Sequence, residues 1–219
     1  MPIGEPRFIS YVPETGKEQR YHDVARAVVE ILLHRRPEDV SVSAVARRAG
    51  VSRSWIYKYF GKDVNALLAY TVQQFGTAFV ELDELAVHFD VLKDWRAWVR
   101  ERTQKALDDV EAAPWVMVLY FRHRHNQGPI GQGIREVERR HADKILASIP
   151  PHIVRSRGKQ KTRRFVEQFA AMRNGVYFLW VDPAKRMEWD RDELTDDIMK
   201  TLDAFVGETD RRANSIMGE

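Results

Sequence analysis

The sequence predicts an all-α protein, a small three-helix N-terminal domain joined to a larger helical C-terminal domain. Three observations predict it. Apolar residues recur at i, i+3, i+4 and i+7 along most of the chain, and no stretch alternates apolar with polar residues as a half-buried strand does. Two short helical patterns meet at a single glycine between Ser41 and Phe60. Beyond them, proline, glycine and charged clusters divide the chain into helix-length pieces, with no internal repeat. With 219 residues and 44% hydrophobic content, there is enough apolar surface for one large or two modest cores.

The N-terminal elements follow in order. Three prolines between Met1 and Thr15 predict a flexible arm, in which Arg7 is the one cation. A first helix is expected from Lys17 to His34, with Val24, Val28, Ile31 and Leu32 inward and Arg35-Arg36-Pro37 as its stop. Ser41 is an N-cap candidate, since its hydroxyl accepts from a free N–H of the next turn. Val42, Val45, Ala46 and Ala49 then mark one buried face, and Gly50 ends the helix where a positive φ is needed. Ser52 caps a third helix, in which Ile56 and Phe60 point inward. Arg53, Ser54, Trp55, Lys58 and Tyr59 are left facing out. From Val40 to Lys62 there are five basic residues and no acid, in a chain with 32 acids. A merely solvated face mixes signs, so this one is read as a surface for phosphates and base edges. Up to Lys62 the chain carries 11 basic and 7 acidic residues, against 24 and 25 after it, so the net charge of +3 is concentrated around this motif.

The segment from Tyr21 to Leu68 resembles the DNA-binding helix-turn-helix of TetR-family transcriptional regulators. The resemblance rests on Ser41-Val42, Val45-Ala46, Ala49-Gly50-Val51-Ser52, and the Tyr57 and Phe60 of a YxxF. It implies base contacts from Arg53, Ser54 and Trp55, with Ser43 on the preceding helix. Ser41, Ser52, Tyr57, Lys58, Tyr59 and Lys62 complete the expected DNA-facing set, with Tyr57, Lys58 and Tyr59 suited to phosphates. The Trp55 ring has two readings, packing on thymine methyl groups or folding back onto the domain. Arg47 and Arg48 are phosphate contacts or solvated charges. One departure stands out: the family's usual phosphate-binding Lys past the Phe is Asp63 here, with Lys62 one residue early, so either the loop is a residue shorter or Lys62 takes that role.

The C-terminal elements are longer. Gly61 and Asp63 start a helix with Val64, Leu68, Val72, Phe75, Phe79 and Leu82 on its buried stripe. Leu92 to Ala112 forms a second, and Pro114 opens a short apolar helix. Asn126 to Gly133 is expected as a glycine-rich loop, Ile134 to Ile149 as a helix ended by Pro150-Pro151, and Arg155 to Lys161 as a mobile basic loop. Two helices close the chain, about 162–181 and 191–206. The first has two apolar seams, Phe165, Phe169, Met172, Val176 and Leu179, and Val166, Ala170, Tyr177 and Trp180. Two seams need two neighbours, which predicts a homodimer through these last helices.

The resemblance further implies a cytoplasmic regulator, a repressor that leaves its operator when a small molecule binds. Residues 1–62 are assigned to DNA binding and 63–219 to ligand binding and dimerisation. The candidate lining is Phe75, Phe79, Trp98, Met117, Tyr120, Phe121, Arg124, Met172, Arg173 and Tyr177, each of which also reads as plain core. Polar residues among or beside these, Arg124, His125, Arg173 and Asn174, select an anionic or carbonyl-bearing ligand if they point inward. Zero cysteines fit a reducing compartment and exclude disulfides and thiolate metal sites. No apolar run spans a bilayer and no signal-peptide pattern opens the chain, so no membrane partner and no cofactor are expected. Two rival readings stand beside this one. A helical-bundle metal enzyme needs two Glu-x-x-His pairs, and only Glu138-x-x-His141 is present, read as surface charge. His123 and His125, two apart on a helix, face different ways. An architectural DNA binder would lack a ligand cavity.

Overall fold

Side-chain caps decide where the first helices begin. Thr15 and Glu18 form a reciprocal capping box, each side chain bonded to the other's backbone N–H, and start α1 (Gly16–Leu32). The Ser41 hydroxyl accepts from the Ala44 N–H at 3.2 Å and starts α2 (Val42–Ala49). Gly50 ends α2 at φ +67°, the left-handed region that a side chain disfavours. The Ser52 hydroxyl accepts from the Trp55 N–H at 3.1 Å and starts α3 (Arg53–Phe60). The Asp63 carboxylate accepts from the Asn65 N–H at 2.9 Å, just ahead of α4 (Val64–Val80).

The structure is a computed structural model. It describes the backbone of residues 15–80, 87–182 and 189–216, with the side chains of these except 75–80 and 208–216. The N-terminal arm with Arg7, Leu82 and the Pro183 turn therefore lie outside the described residues. After α4 come α5 (Leu92–Ala112), α6 (Trp115–His123), α7 (Pro129–Ser148), α8 (Pro151–Arg157), α9 (Lys159–Trp180) and α10 (Arg191–Ile216). No strand occurs among the described residues.

Contacts divide the chain into two compact units, Met1–Glu81 with Ala112–Glu138, and Leu82–Glu111 with Arg139–Glu219. In the first, α1 packs on α2 and α4, and α2 on α3. Val24, Val28, Val45 and Ile56 are fully enclosed at its centre. Residues of α6 finish the C-terminal end of α1. His123 donates to the Leu32 carbonyl at 3.0 Å and Arg122 donates to the Leu33 carbonyl. These are carbonyls that a helix end leaves without intrahelical donors. In the second unit α8 packs on α9, and α10 on both. Arg96–Asp203, Arg100–Asp196 and Arg191–Asp108 pair α5 with α10 at the surface.

Two expected loops are largely helix. α7 already begins at Pro129, inside the stretch expected as a glycine-rich loop. Its glycines serve close approach: a Cβ on Gly131 would lie 1.8 Å from the Asn126 carbonyl oxygen, and one on Gly133 2.5 Å from a Val72 methyl. The basic stretch 155–161 is mostly helical too. Only Gly158, at φ +82°, separates α8 from α9. Ile153 and Thr162, both fully buried, anchor the two sides of that break.

Candidate nucleic-acid interface and candidate ligand cavity

Burial of Ile56 fixes the roll of α3. With that residue at 0% exposure, Arg53, Ser54, Tyr57 and Lys58 are held in solvent, together with Ser52 at the cap. Ser43 on α2 and Lys62 after α3 are exposed as well, and so are Ser41 and Arg47. Ser52 and Ser54 share a hydrogen bond between their hydroxyls at 2.9 Å. Arg48 is tied to Glu30 of α1, which leaves Arg47, Arg53, Lys58 and Lys62 as the cations of the motif not used in that pair.

Trp55 and Tyr59 lie differently from their neighbours. Both are half-buried, in an aromatic cluster with Tyr21 of α1 and Phe60. The Tyr21 and Trp55 rings meet edge-to-face at 5.2 Å, and the Trp55 and Tyr59 rings lie 4.7 Å apart. Tyr70 of α4 joins through Tyr21 and Phe60. The cluster sets the angle of α3 against α1 and α4, and it engages the Trp55 ring on its own domain.

Sequence reasoning missed two members of this surface. The Lys17 ammonium lies 5.1 Å from the centre of the Tyr59 ring and 5.9 Å from that of Tyr21, so the start of α1 adds a cation to the α3 side. Burial, with Tyr59 alongside, pushes the Tyr21 hydroxyl pKa up. The only sequence signal for either was a Lys and a Tyr one turn apart at a helix start. Asp63, at the family's usual Lys position, is taken up as a cap for α4.

The second unit holds a small cavity. It is lined by Trp95, Trp98, Val99 and Arg102 of α5, His141, Ile145 and Ile149 from the α7 region, Phe165, Val166, Phe169, Ala170 and Arg173 of α9, and Leu202 of α10. Its volume is about 20 Å³, roughly the room of one water. The Trp95 indole N–H donates to the Ser148 hydroxyl at 3.1 Å, which locks one wall. His141, expected as surface charge, faces this cavity instead. Burial pushes its imidazole pKa down to about 3, and the Arg173 cation adds to the shift. Its sequence neighbour in the Glu-x-x-His spacing is spoken for elsewhere: Glu138 accepts from the Tyr120 hydroxyl and pairs with Arg124 at 3.1 Å. Among the described residues no three His, Asp or Glu side chains gather as a metal site.

Of the ten lining residues expected from sequence, Trp98 and Arg173 line this cavity. Tyr177 is buried beneath Arg173, whose guanidinium lies 5.6 Å from its ring centre, and burial raises its hydroxyl pKa. Met172 is half-buried on α9. Met117, Tyr120, Phe121 and Arg124 belong to the first unit, where Met117 is core and Phe121 is partly exposed against Tyr120. The side chains of Phe75 and Phe79 lie outside those described. On α9, Val166, Phe169, Tyr177 and Trp180 are buried within the chain, whereas Phe178 and Leu179 remain 38% and 39% exposed.

Residues 26–69 match the family described as bacterial regulatory proteins, tetR family. No curated protein matches the chain. Solved structures are similar in fold. A tetR-family transcriptional regulator from Streptomyces coelicolor is 17% identical with a TM-score of 0.64, over 93% of this chain and 87% of that one. The fatty acid degradation regulator FadR from Bacillus halodurans is 18% identical with a TM-score of 0.63, over 83% and 97%. The transcriptional regulator FadR from Bacillus subtilis, solved in complex with stearoyl-CoA, is 16% identical with a TM-score of 0.62, over 83% and 97%.

Proposed function

We propose that this chain, a TetR-family DNA-binding regulator by its amino-terminal domain, is a homodimeric repressor that a small molecule releases from its operator. The observation that carries the reading is the exposed, acid-free face of α3, seated on a capped helix-turn-helix within the matched segment. A helix so placed enters the major groove by its first residues. Arg53 is the base reader, since a guanidinium bonds the O6 and N7 of guanine together. Ser54 and Ser43 add short polar contacts, with Trp55 positioning the helix through its aromatic neighbours. Lys58, Tyr57, Tyr59, Lys62, Ser41 and Ser52 hold phosphates, joined by Lys17.

The dimer would form through α9 and α10, where Leu179 of α9 keeps apolar surface exposed. Two reading heads then address half-sites about 34–36 Å apart. A ligand site in the second unit is supported by its cavity, and is in keeping with the fold it shares with a regulator solved with stearoyl-CoA. The coupling is reciprocal: a ligand that weakens operator binding is itself bound more weakly when operator is present, by the same factor. Genomic footprinting with the purified protein tests the reading. It should return a two-fold symmetric site with half-sites one helical turn apart. Protection without sequence preference would contradict it.

A further inference from the structure

Arg173 sits oddly for a cation. Its Nε is buried with no hydrogen-bond partner, and no carboxylate is among the residues lining the cavity it borders. The nearby Tyr177 hydroxyl is buried against the Thr103 hydroxyl, which donates to the Val99 carbonyl at 2.9 Å and still has its oxygen to accept with. Buried donors in native proteins are almost always satisfied, so the orphaned Arg173 Nε beside a cavity calls for an acceptor. His141, kept neutral, sets one ring N–H donor and one acceptor nitrogen beside the same cavity. Arg102 brings a second guanidinium, stacked 6.0 Å from the centre of the Trp98 ring. The described lining residues include no carboxylate, and apart from Arg102, His141 and Arg173 the wall is aromatic or aliphatic.

The geometry points to a ligand that is an amphipathic carboxylate, its oxygens bonded by Arg173 and His141 and its apolar body against Trp95, Trp98, Phe165 and Phe169. This rests on the ligand-released reading above and adds the chemical class of the ligand. An ionised acceptor is preferred because a hydrogen bond to a charge in a dry site is stronger than one between neutral groups. Among the described lining residues a ligand cation would face the Arg173 guanidinium and no carboxylate. The cavity has room for little more than a water, so the body of the ligand must displace the half-buried side chains Trp98, Ile145 and Phe165 outward.

The test is calorimetric titration of the full chain with 3-phenylpropionate and octanoate, each beside its neutral amide. A carboxylate should bind at least about tenfold more tightly than its amide. Arg173→Met should abolish that preference, and Arg173→Lys should keep part of it. Thermal melts verify that both variants fold. The charged-against-neutral comparison on the unaltered protein stands even if they do not. Equal binding of acid and amide, binding of neither, or a preference that survives in Arg173→Met overturns the proposal. Operator binding is measured in parallel. Carboxylate binding without operator release would defeat the regulatory reading and leave the ligand class intact. Operator binding with no carboxylate binding would do the opposite.

Discussion

On the α3 face, Arg53, Lys58 and Lys62 keep their charges in water, with no acid in the motif to neutralise them. In the second unit Arg173 has a buried, unpartnered Nε beside an imidazole that stays neutral. Exposed cations cost little to maintain, and they gain affinity for a polyanion through the counterions released when phosphates replace them. A half-buried cation is costly unless something fills its hydrogen bonds. The first arrangement suits a long, hydrated polymer of phosphates and the second a small acceptor that leaves water behind. The two charge patterns therefore support the two different partners proposed above.

The largest expected effect separates the units by stability. Ile56 is fully enclosed and is the buried anchor that keeps the polar side of α3 facing out, so Ile56→Ala should cost about 2–5 kcal/mol. Urea unfolding should show that loss, with operator binding failing while the helices of the second unit persist by circular dichroism.

Acid should act more on the second unit. The His141 imidazole lies at about 3 in the folded chain against an ordinary 6.5, so the unfolded chain takes up the proton first. Stability is then fully present above pH 6.5 and is lost progressively as pH falls towards about 3. Burial lowers the first unit's His22 and His123 in the same direction. Melting temperatures at neutral and mildly acidic pH should show a smaller acid-induced drop in His141→Gln than in the parent chain. An unchanged slope would mean that His141 is not the group responsible.

The smallest effect is local. Ser52→Ala removes the cap on α3 and should cost about 1 kcal/mol, lowering operator affinity mainly through fraying of the residues that carry Arg53. The equivalent loss at Ser41 should leave the affinity less changed, since α2 is pinned by Val42, Val45 and Ala46.

Much of the first unit was legible because its signals are local. Ser41, Gly50 and Ser52 act within a turn of themselves, and the Val45-to-Ile56 core follows from helical spacing. The second unit was less so, because its decisive neighbours are far apart in sequence. His141 reads as a surface residue until Arg173 and the aromatic residues of α5 and α9 are brought around it. The 155–161 stretch reads as a loop by its charge, yet Arg155, Lys159 and Lys161 are exposed on two helices that Ile153 and Thr162 bury, and Arg157 packs on Phe205 of α10. Lys17 and Tyr21 join the α3 face only because α1 packs beside it, a contact that no spacing in either helix announces.

Binding-site selection on the parent chain, Arg53→Ala and Lys58→Ala, with salt titrations of each, probes the α3 assignment at its source. Arg53→Ala should relax preference at one base pair per half-site, a loss of about 1–3 kcal/mol of discrimination. Lys58→Ala should leave the selected sequence unchanged and flatten the log–log salt slope by about 0.9 for each phosphate that is no longer neutralised. An unchanged selection profile in Arg53→Ala, or an unaltered salt slope in Lys58→Ala, would contradict the roles given to this face.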